Sequence, residues 1–157
     1  MRAEVLVDGS AGAAFGHGYT YTSHPIAAAA AMANLDLIEN EGLVEQSARR
    51  GDYLLGRLRD AFADHPIVGE VRGLGLMAAV EFVESRDPAR AFDPNLRVGA
   101  RITRACLERG VITRALPAAD TLGLSPPLVI TESEIDTIVE VARAATDQVA
   151  DELRREN

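Results

Sequence analysis

The clearest periodic pattern of apolar residues lies between residues 44 and 62. Apolar positions recur there at spacings of four and three residues, which places them on one face of an α-helix. His65 and Pro66 follow, so we expect the helix to end by about Asp64. The predicted buried face consists of Val44, Ala48, Gly51, Leu55, Leu58 and Phe62.

An alanine-rich segment before this helix predicts another one, over residues 26–39. Pro25 suits the first helical position because its φ is already helical, and Ser23 or His24 would lie near the cap. Residues 40–42 mark a break between the two helices. Further upstream, residues 4–7 indicate a short strand, and the glycine-rich residues 8–18 indicate a loop.

The apolar period changes to two after Pro66, which is typical of strands. We predict strands over residues 67–71 and 74–83, joined at Arg72–Gly73, with the second strand largely buried on both sides. Residues 85–94 are expected to form a loop. A helix over residues 96–109 follows, with Gly110 at its carboxyl end.

The last third of the chain predicts short strands and a long helix. Strands are expected at residues 111–114 and 121–124, and Pro126–Pro127 would form an edge or a bend because proline donates no ladder hydrogen bond. Thr131 and Glu134 match a capping box at the start of the final helix. That helix would bury Ile135, Ile138, Ala142, Ala145 and Val149, and the polar tail 151–157 would fray. Helices thus interleave with a small sheet, so the fold class is α/β or α+β.

Charge and composition narrow the function classes. The chain has 157 residues and a net charge of −8, and all 16 basic residues are arginine. A GC-rich coding sequence would explain the missing lysine, but its absence also excludes chemistry that needs a side-chain amine. The acidic balance argues against a nucleic-acid backbone as partner. The sequence has a single cysteine, no apolar run long enough to span a membrane and no signal-peptide core. These three features favour the cytoplasm as its location.

Candidate chemistry concentrates in residues 15–25. Glycines, hydroxyls and a following helix start are what a phosphate needs, although a plain turn has the same composition. His17 and His24 lack metal-ligand spacing, so no metal site is predicted. Glu70 and Glu81 are expected to be solvated or ion-paired, and Cys106 is expected to be packed in the core. Gly73 and Gly75 lack the third glycine of a dinucleotide fingerprint.

Four segments, in order, resemble one family of enzymes. Residues 17–25 (HGYTYTSHP), 71–77 (VRGLGLM) with Glu81, 110–114 (GVITR) and 125–131 (SPPLVIT) are similar to motifs of the class III aminotransferases. These are pyridoxal-phosphate enzymes of fold type I. The resemblance covers about residues 15–150 and matches the family's C-terminal portion, with the ω-amino acid:pyruvate type as the nearest branch. It implies a connecting helix pair plus a small sheet with helices packed on it.

The resemblance also implies roles for three residues. Thr20 matches the threonine that binds the cofactor phosphate of the neighbouring subunit, and Tyr19 matches the aromatic position beside it. Arg114 matches the mobile arginine that pairs with a substrate carboxylate, a task that suits a guanidinium. Ser23 stands where many family members have glycine, which is expected to alter the turn. The implied partners are a second copy or a complementary large-domain polypeptide, with an amine and a keto acid as small-molecule substrates.

The implied domain division has three parts. Residues 1–25 would end the large domain with the phosphate-binding loop, residues 26–64 would form the connecting helices, and residues 65–157 would form the small domain. The family's Schiff-base lysine lies further before the phosphate threonine than the 19 residues that precede Thr20 here. We therefore expect no catalytic residue in the chain and no transaminase activity from it alone.

Two other functions stay open at this point. The chain could be a non-catalytic assembly or binding module, such as half of a split enzyme or a dimerisation domain, with the alanine-rich helix as its contact. A repurposed small-molecule binding domain, using the Thr20 loop for a phosphate or carboxylate, is the third reading.

Overall fold

The computed structural model describes residues 18–20, 22–116 and 120–156. The chain divides into two compact units, Met1–Leu37 and Ile38–Asn157. The strand predicted at residues 4–7 and nearly all of the glycine-rich loop lie outside the described residues. The proposed division into a phosphate loop, connecting helices and a small domain stays a prediction.

The first unit contains a turn followed by the start of helix α1 (Pro25–Asn40). The helix was expected here, and Pro25 is its first residue, as predicted. The His24 carbonyl accepts the first helical hydrogen bond, from the Ala28 N–H at 2.9 Å. None of the residues of α1 is buried.

The second unit begins with the end of α1 and continues into helix α2 (Leu43–Phe62). Gly42 precedes α2 with a φ of 60°, which explains the break between the two helices. The predicted face is right at four of six positions, but Val44 is 65% exposed and Ala48 is also exposed. The buried face turns towards Leu43 and Leu54 instead.

The second unit has a four-stranded antiparallel sheet built from β1 (Val68–Leu74), β2 (Met77–Phe82), β5 (Arg114–Leu116) and β6 (Thr121–Leu124). The order of the strands across the sheet is β1-β2-β6-β5. The helices α2 and α3 (Val98–Glu108) pack on this sheet, and α4 (Glu132–Glu156) packs on both of them. The architecture is therefore the predicted one, a small sheet with helices packed on it.

The turn between the first two strands is not where the sequence placed it. The chain reverses at Gly75–Leu76 rather than at Arg72–Gly73, because Gly75 has the positive φ (54°) that the reversal needs. Strand β2 is also not buried on both sides. Ala78, Val80 and Phe82 face the core, whereas Met77 is 66% exposed.

The segment expected to be a loop at residues 85–94 contains a small hairpin. Strands β3 (Ser85–Arg86) and β4 (Ala89–Arg90) pair around a cis Asp87–Pro88 bond, and a short 3-10 helix follows at Pro94–Leu96. Gly110 takes a φ of 85° just beyond α3, as expected of a residue that ends a helix.

The strand predicted at residues 111–114 is displaced towards the carboxyl end. The Val111 N–H still bonds to the Cys106 carbonyl at 3.0 Å, so this segment belongs to the end of α3. Pairing with β6 begins only at Arg114. Pro126 and Pro127 come after β6 has ended and interrupt no strand.

The capping box at the start of α4 is confirmed. The Thr131 N–H donates to Glu134 Oε2 at 2.8 Å, and the Glu134 N–H donates to Thr131 Oγ1 at 3.3 Å. The Thr131 N–H and the Thr131 hydroxyl, which donates to Glu134 Oε2 at 2.7 Å, hold the pKa of the Glu134 carboxyl below its ordinary value. The expected fraying of the tail is wrong, because Arg101 binds Glu152 and Glu156 and α4 continues to Glu156.

One contiguous core joins α2, α3, α4 and the inner sheet face. His65 lies at its edge, 2% exposed, with Nε2 3.1 Å from Asp147 Oδ1. Burial lowers the pKa of His65 below its ordinary value. None of the helices that the structure describes combines the length and apolar composition that a membrane crossing requires.

Candidate functional site

The first candidate residues lie in the turn before α1. The Thr22 N–H donates to the Tyr19 carbonyl at 2.9 Å, and the Tyr19 N–H donates to Thr22 Oγ1 at 3.2 Å. Thr20 lies between them and is exposed, and Tyr19 is 72% exposed. Thr22 and Tyr19 therefore close the turn and leave Thr20 at its tip.

The donor groups at this turn suit a phosphate. The Thr20 hydroxyl makes no hydrogen bond within the described residues, so it is available to an external acceptor. Helix α1 begins five residues later, and the amino-terminal end of a helix favours a nearby anion. Ser23 has a φ of 65°, a left-handed conformation that favours glycine. The serine thus adopts the backbone of the glycine it is expected to replace.

Arg114 is the first residue of β5, at the edge of the sheet. Its direct partner across the ladder is Gly123 of β6, so no side chain stands beside it on that strand. Arg114 is exposed, and its guanidinium makes no hydrogen bond or ion pair within the described residues. An arginine without a local carboxylate is free to bind one from a ligand.

Two depressions meet at Arg114. The first, of about 670 Å³, opens between the Ser125–Pro127 segment and the start of α4. Its described lining contains one acid, Glu134, and one base, Arg114. Glu134 is already engaged by Thr131, and two exposed apolar residues, Ile112 and Val129, add hydrophobic surface. The second depression, of about 460 Å³, lies on the outer face of the sheet.

The outer sheet face carries a feature that the sequence analysis missed. The register aligns Arg72, Ala79, Gly123 and Arg114 in one row across the four strands. A prediction with the turn at Gly75 would have aligned Arg72 with Ala79, since the register of β1 and β2 follows from that turn.

The other candidate groups have structural partners. Arg72 donates to Glu70 Oε2 at 2.8 Å and to Glu81 Oε2 at 2.5 Å, so the two carboxylates are ion-paired, as expected. Cys106 is fully buried, as predicted, and burial raises the pKa of its thiol. Among the described residues, no three histidine, cysteine or acidic side chains cluster as a metal site would require.

The candidate residues do not all fall in one unit. Tyr19 and Thr20 belong to the first unit, whereas Arg114 belongs to the second. The roles of all three stay predictions at this point.

Comparison with known proteins identifies the family of the chain. The family model described as "Aminotransferase class-III" matches residues 2–145. A diaminobutyrate–2-oxoglutarate transaminase of Halomonas elongata is 52% identical over 143 residues, which cover 90% of this chain and 30% of that protein. A putrescine–pyruvate aminotransferase of Pseudomonas aeruginosa is 39% identical over 151 residues, which cover 96% and 32%.

A solved structure gives the same result for the fold. A transaminase from directed evolution by ancestral reconstruction is 58% identical and superposes with a TM-score of 0.84, over 87% of this chain and 30% of its own. The chain therefore spans about a third of the length of the proteins it matches. It belongs to the class III aminotransferases, a pyridoxal-phosphate-dependent family of fold type I.

Proposed function

We propose that the chain contributes the substrate-carboxylate contact and part of the cofactor-phosphate contact to an amino-transfer site. The reaction moves an amino group from an amine or ω-amino acid to a keto acid such as pyruvate. The observation that carries the proposal is the exposed Arg114, which has no ion-pair partner among the described residues and lies where two depressions meet. The named activities of the two relatives, with putrescine and with diaminobutyrate as donors, support this substrate class.

Arg114 binds the carboxylate of the keto acid. A guanidinium presents two parallel N–H groups that match the two carboxylate oxygens, so it fixes both the position and the orientation of the substrate. The strand β5 holds its backbone, and its ladder partner Gly123 has no side chain. Because its charge has no partner in the part of the chain that the structure describes, binding breaks no ion pair there.

Thr20 binds the phosphate of the cofactor through its hydroxyl and backbone N–H, with Tyr19 beside it. The turn closed by Thr22 presents both groups of Thr20 to solvent. In the family, this phosphate belongs to the cofactor of the neighbouring subunit, so we propose that the chain acts within a dimer. The single buried cysteine fits a reducing cytoplasm.

Pyridoxal phosphate, when bound, supplies the electron sink for amino transfer. The reaction also needs a lysine that carries the cofactor and moves the proton, and the 157 residues contain none. We therefore propose no catalytic residue in this chain and no turnover by the chain alone.

Activity measurements on the purified chain test this part of the proposal. With pyridoxal phosphate, putrescine or diaminobutyrate, and pyruvate or 2-oxoglutarate, we expect no product above the rate of cofactor alone. The Halomonas elongata relative under the same conditions is the positive control. Turnover by the pure chain above the cofactor background would overturn the proposal.

A second function is favoured by one observation on α1. This helix has no buried residue, and four of its large apolar side chains are more than half exposed. A non-catalytic assembly module would cover such a surface, with the small alanines allowing close approach. These apolar residues are Ile26, Met32, Leu35 and Leu37.

Size-exclusion chromatography with light scattering distinguishes the assembly function. An assembly module is expected to be a dimer or larger at micromolar concentration, and Met32→Glu with Leu35→Glu should return it to a monomer. A clean monomer of the unchanged chain would count against this second function.

A further inference from the structure

The strand that carries Arg114 is short and lies at an edge of the sheet. β5 has three residues, and β6 is its one ladder partner among the described strands. Arg114 and Leu116 lie opposite Gly123 and Thr121 in that pairing. The place of Arg114 in the fold therefore depends on how firmly β6 is held.

Helix α3 takes its cap from a distant residue. Arg97 precedes the helix with a φ of 49°, and its side chain makes no capping hydrogen bond. The Asp120 carboxylate supplies the acceptor instead, because its Oδ1 accepts the Gly99 N–H at 2.8 Å. A carboxylate suits this end of a helix, where free N–H groups give a partial positive charge. Asp120 thus caps α3 from a position 21 residues beyond Gly99.

The backbone of Asp120 also binds the middle of the sheet. Its carbonyl accepts the N–H of Phe82, the last residue of β2, at 2.7 Å. Helix α3 lies directly against it, since a Cβ on Gly99 would be 3.4 Å from Asp120 Cα and 3.2 Å from the Thr121 nitrogen. Asp120 therefore ties α3 and β2 to Thr121, the first residue of β6.

We propose that Asp120 is a positioning residue for the substrate contact of Arg114. Its carboxylate fixes the start of β6 on α3, and the ladder between β6 and β5 transmits that position to Arg114. A displacement of about 1 Å in a group that positions substrate has large effects on the reaction, so the strand needs such a support. The inference rests on the proposed role of Arg114 and adds the residue that holds it in place.

Amide hydrogen exchange of the 157-residue chain tests the structural part. In Asp120→Ala we expect about fivefold faster exchange in β5 and β6, the effect that loss of one helix cap predicts. Asp120→Asn keeps an acceptor oxygen and should restore most of the protection. Asp93 is the matched control, because its Oδ1 also accepts an N–H at 2.8 Å but caps the 3-10 helix. Asp93→Ala should leave exchange in β5 and β6 unchanged.

Steady-state kinetics test the functional part in a chimera, in which this chain replaces the matching portion of the Pseudomonas aeruginosa putrescine–pyruvate aminotransferase. Pyruvate carries a carboxylate for Arg114 and putrescine carries none, and kcat/KM for each substrate reports its own half-reaction. Asp120→Ala should lower kcat/KM for pyruvate about tenfold and leave that for putrescine within about twofold. Loss of the negative charge alone would instead favour the pyruvate anion. Asp120→Asn should restore most of the value, and Asp93→Ala should change neither.

A second variant reaches the same junction from the helix. Gly99→Ala adds a Cβ that presses on the Thr121 nitrogen and so displaces the start of β6. It should have the same selective effect on pyruvate, and it replaces Asp120→Ala if that variant does not fold.

The results that overturn the inference differ from those that overturn the proposed function. Unchanged exchange in β5 and β6 of Asp120→Ala, or an equal fall in kcat/KM for both substrates, would remove the positioning role and leave the role of Arg114 intact. So would a pyruvate kcat/KM that falls in Arg114→Gln but not in Asp120→Ala. If Arg114→Gln leaves it unchanged, or the unsubstituted chimera is inactive, the proposed function fails and the positioning role fails with it.

Discussion

Gly51 in α2 is the position where a single methyl group should have the largest predictable effect. A Cβ at Gly51 would come within 3.0 Å of three backbone atoms of Gly75, which cannot yield as a flexible side chain would. Gly75 is itself fixed at a φ of 54° in the turn between β1 and β2. Gly51→Ala must therefore push the helix and the hairpin apart.

The magnitude follows from two opposing effects. Alanine in a helix interior is favoured over glycine by about 1 kcal/mol. Overpacking against rigid atoms costs about 3 kcal/mol at the upper end of the usual range. We therefore expect Gly51→Ala to lower the free energy of unfolding by about 2 kcal/mol.

Gly56 provides a matched control on the same helix. A Cβ there would meet nothing within 4 Å, so Gly56→Ala should raise the free energy of unfolding by about 1 kcal/mol. Urea unfolding followed by circular dichroism measures both, and the slopes should agree so that midpoints report stability. If Gly51→Ala proves as stabilising as Gly56→Ala, the close packing of α2 on the turn is refuted.

Three further predictions concern the helices and a buried histidine. Thr131→Ala removes the cap of α4 and should lower the free energy of unfolding, measured with urea, by about 1 kcal/mol, whereas Thr131→Ser should leave it nearly unchanged. Arg101→Gln should increase amide hydrogen exchange over residues 153–156 and lower the free energy of unfolding by up to about 1 kcal/mol. In the unchanged chain, 1 M salt should weaken the ion pairs of Arg101 with Glu152 and Glu156 and have a similar effect on exchange. Because burial lowers the pKa of His65, the unfolded chain binds the proton more readily, so stability should fall as pH drops below about 6.5. The free energy of unfolding, measured at pH 7.5 and 5.5, should show this loss in the unchanged chain and a smaller loss in His65→Phe. Equal losses in the two proteins would contradict the assignment of the pH dependence to His65.

The long elements could be predicted from sequence because their signals are local. The capping pair Thr131 and Glu134 and the proline at the start of α1 each satisfy backbone groups within one turn. The orientation of α2 about its axis was only partly predictable. Its spacing fits a face that includes Val44, but the position of the sheet decides that Leu54 is buried instead.

The errors in the sheet have a different origin. Gly73 and Gly75 are both able to form a turn, and nothing local to the sequence chooses between them. In the fold, Gly75 takes the positive φ, and Gly73 stays in β1 where Leu55 packs closely against it. That choice sets the register, and the register in turn aligns Arg72 with Arg114.

Long-range charge pairing explains the error in the tail. The last turns of α4 look polar and unsupported in sequence, but Arg101 reaches them from α3. A partner 51 to 55 residues away is invisible to a local reading of the chain.

Thr20 and Arg114 were found by resemblance, not by local chemistry. A threonine in a turn and an arginine at a strand end are common surface features. The structure adds that Arg114 has no hydrogen-bond or ion-pair partner among the described residues and that its ladder partner is a glycine.

The dependence of keto-acid affinity on Arg114 tests the central claim most directly. It is measured in a chimera in which this chain replaces the matching C-terminal portion of the Halomonas elongata transaminase, which supplies the lysine. We expect turnover, and in Arg114→Gln a keto-acid KM raised about tenfold to a hundredfold, since a hydrogen-bonded charge contact is lost. Gly56→Ala in the same chimera should leave KM unchanged. An active chimera whose keto-acid KM is the same with arginine or glutamine at position 114 would contradict the account.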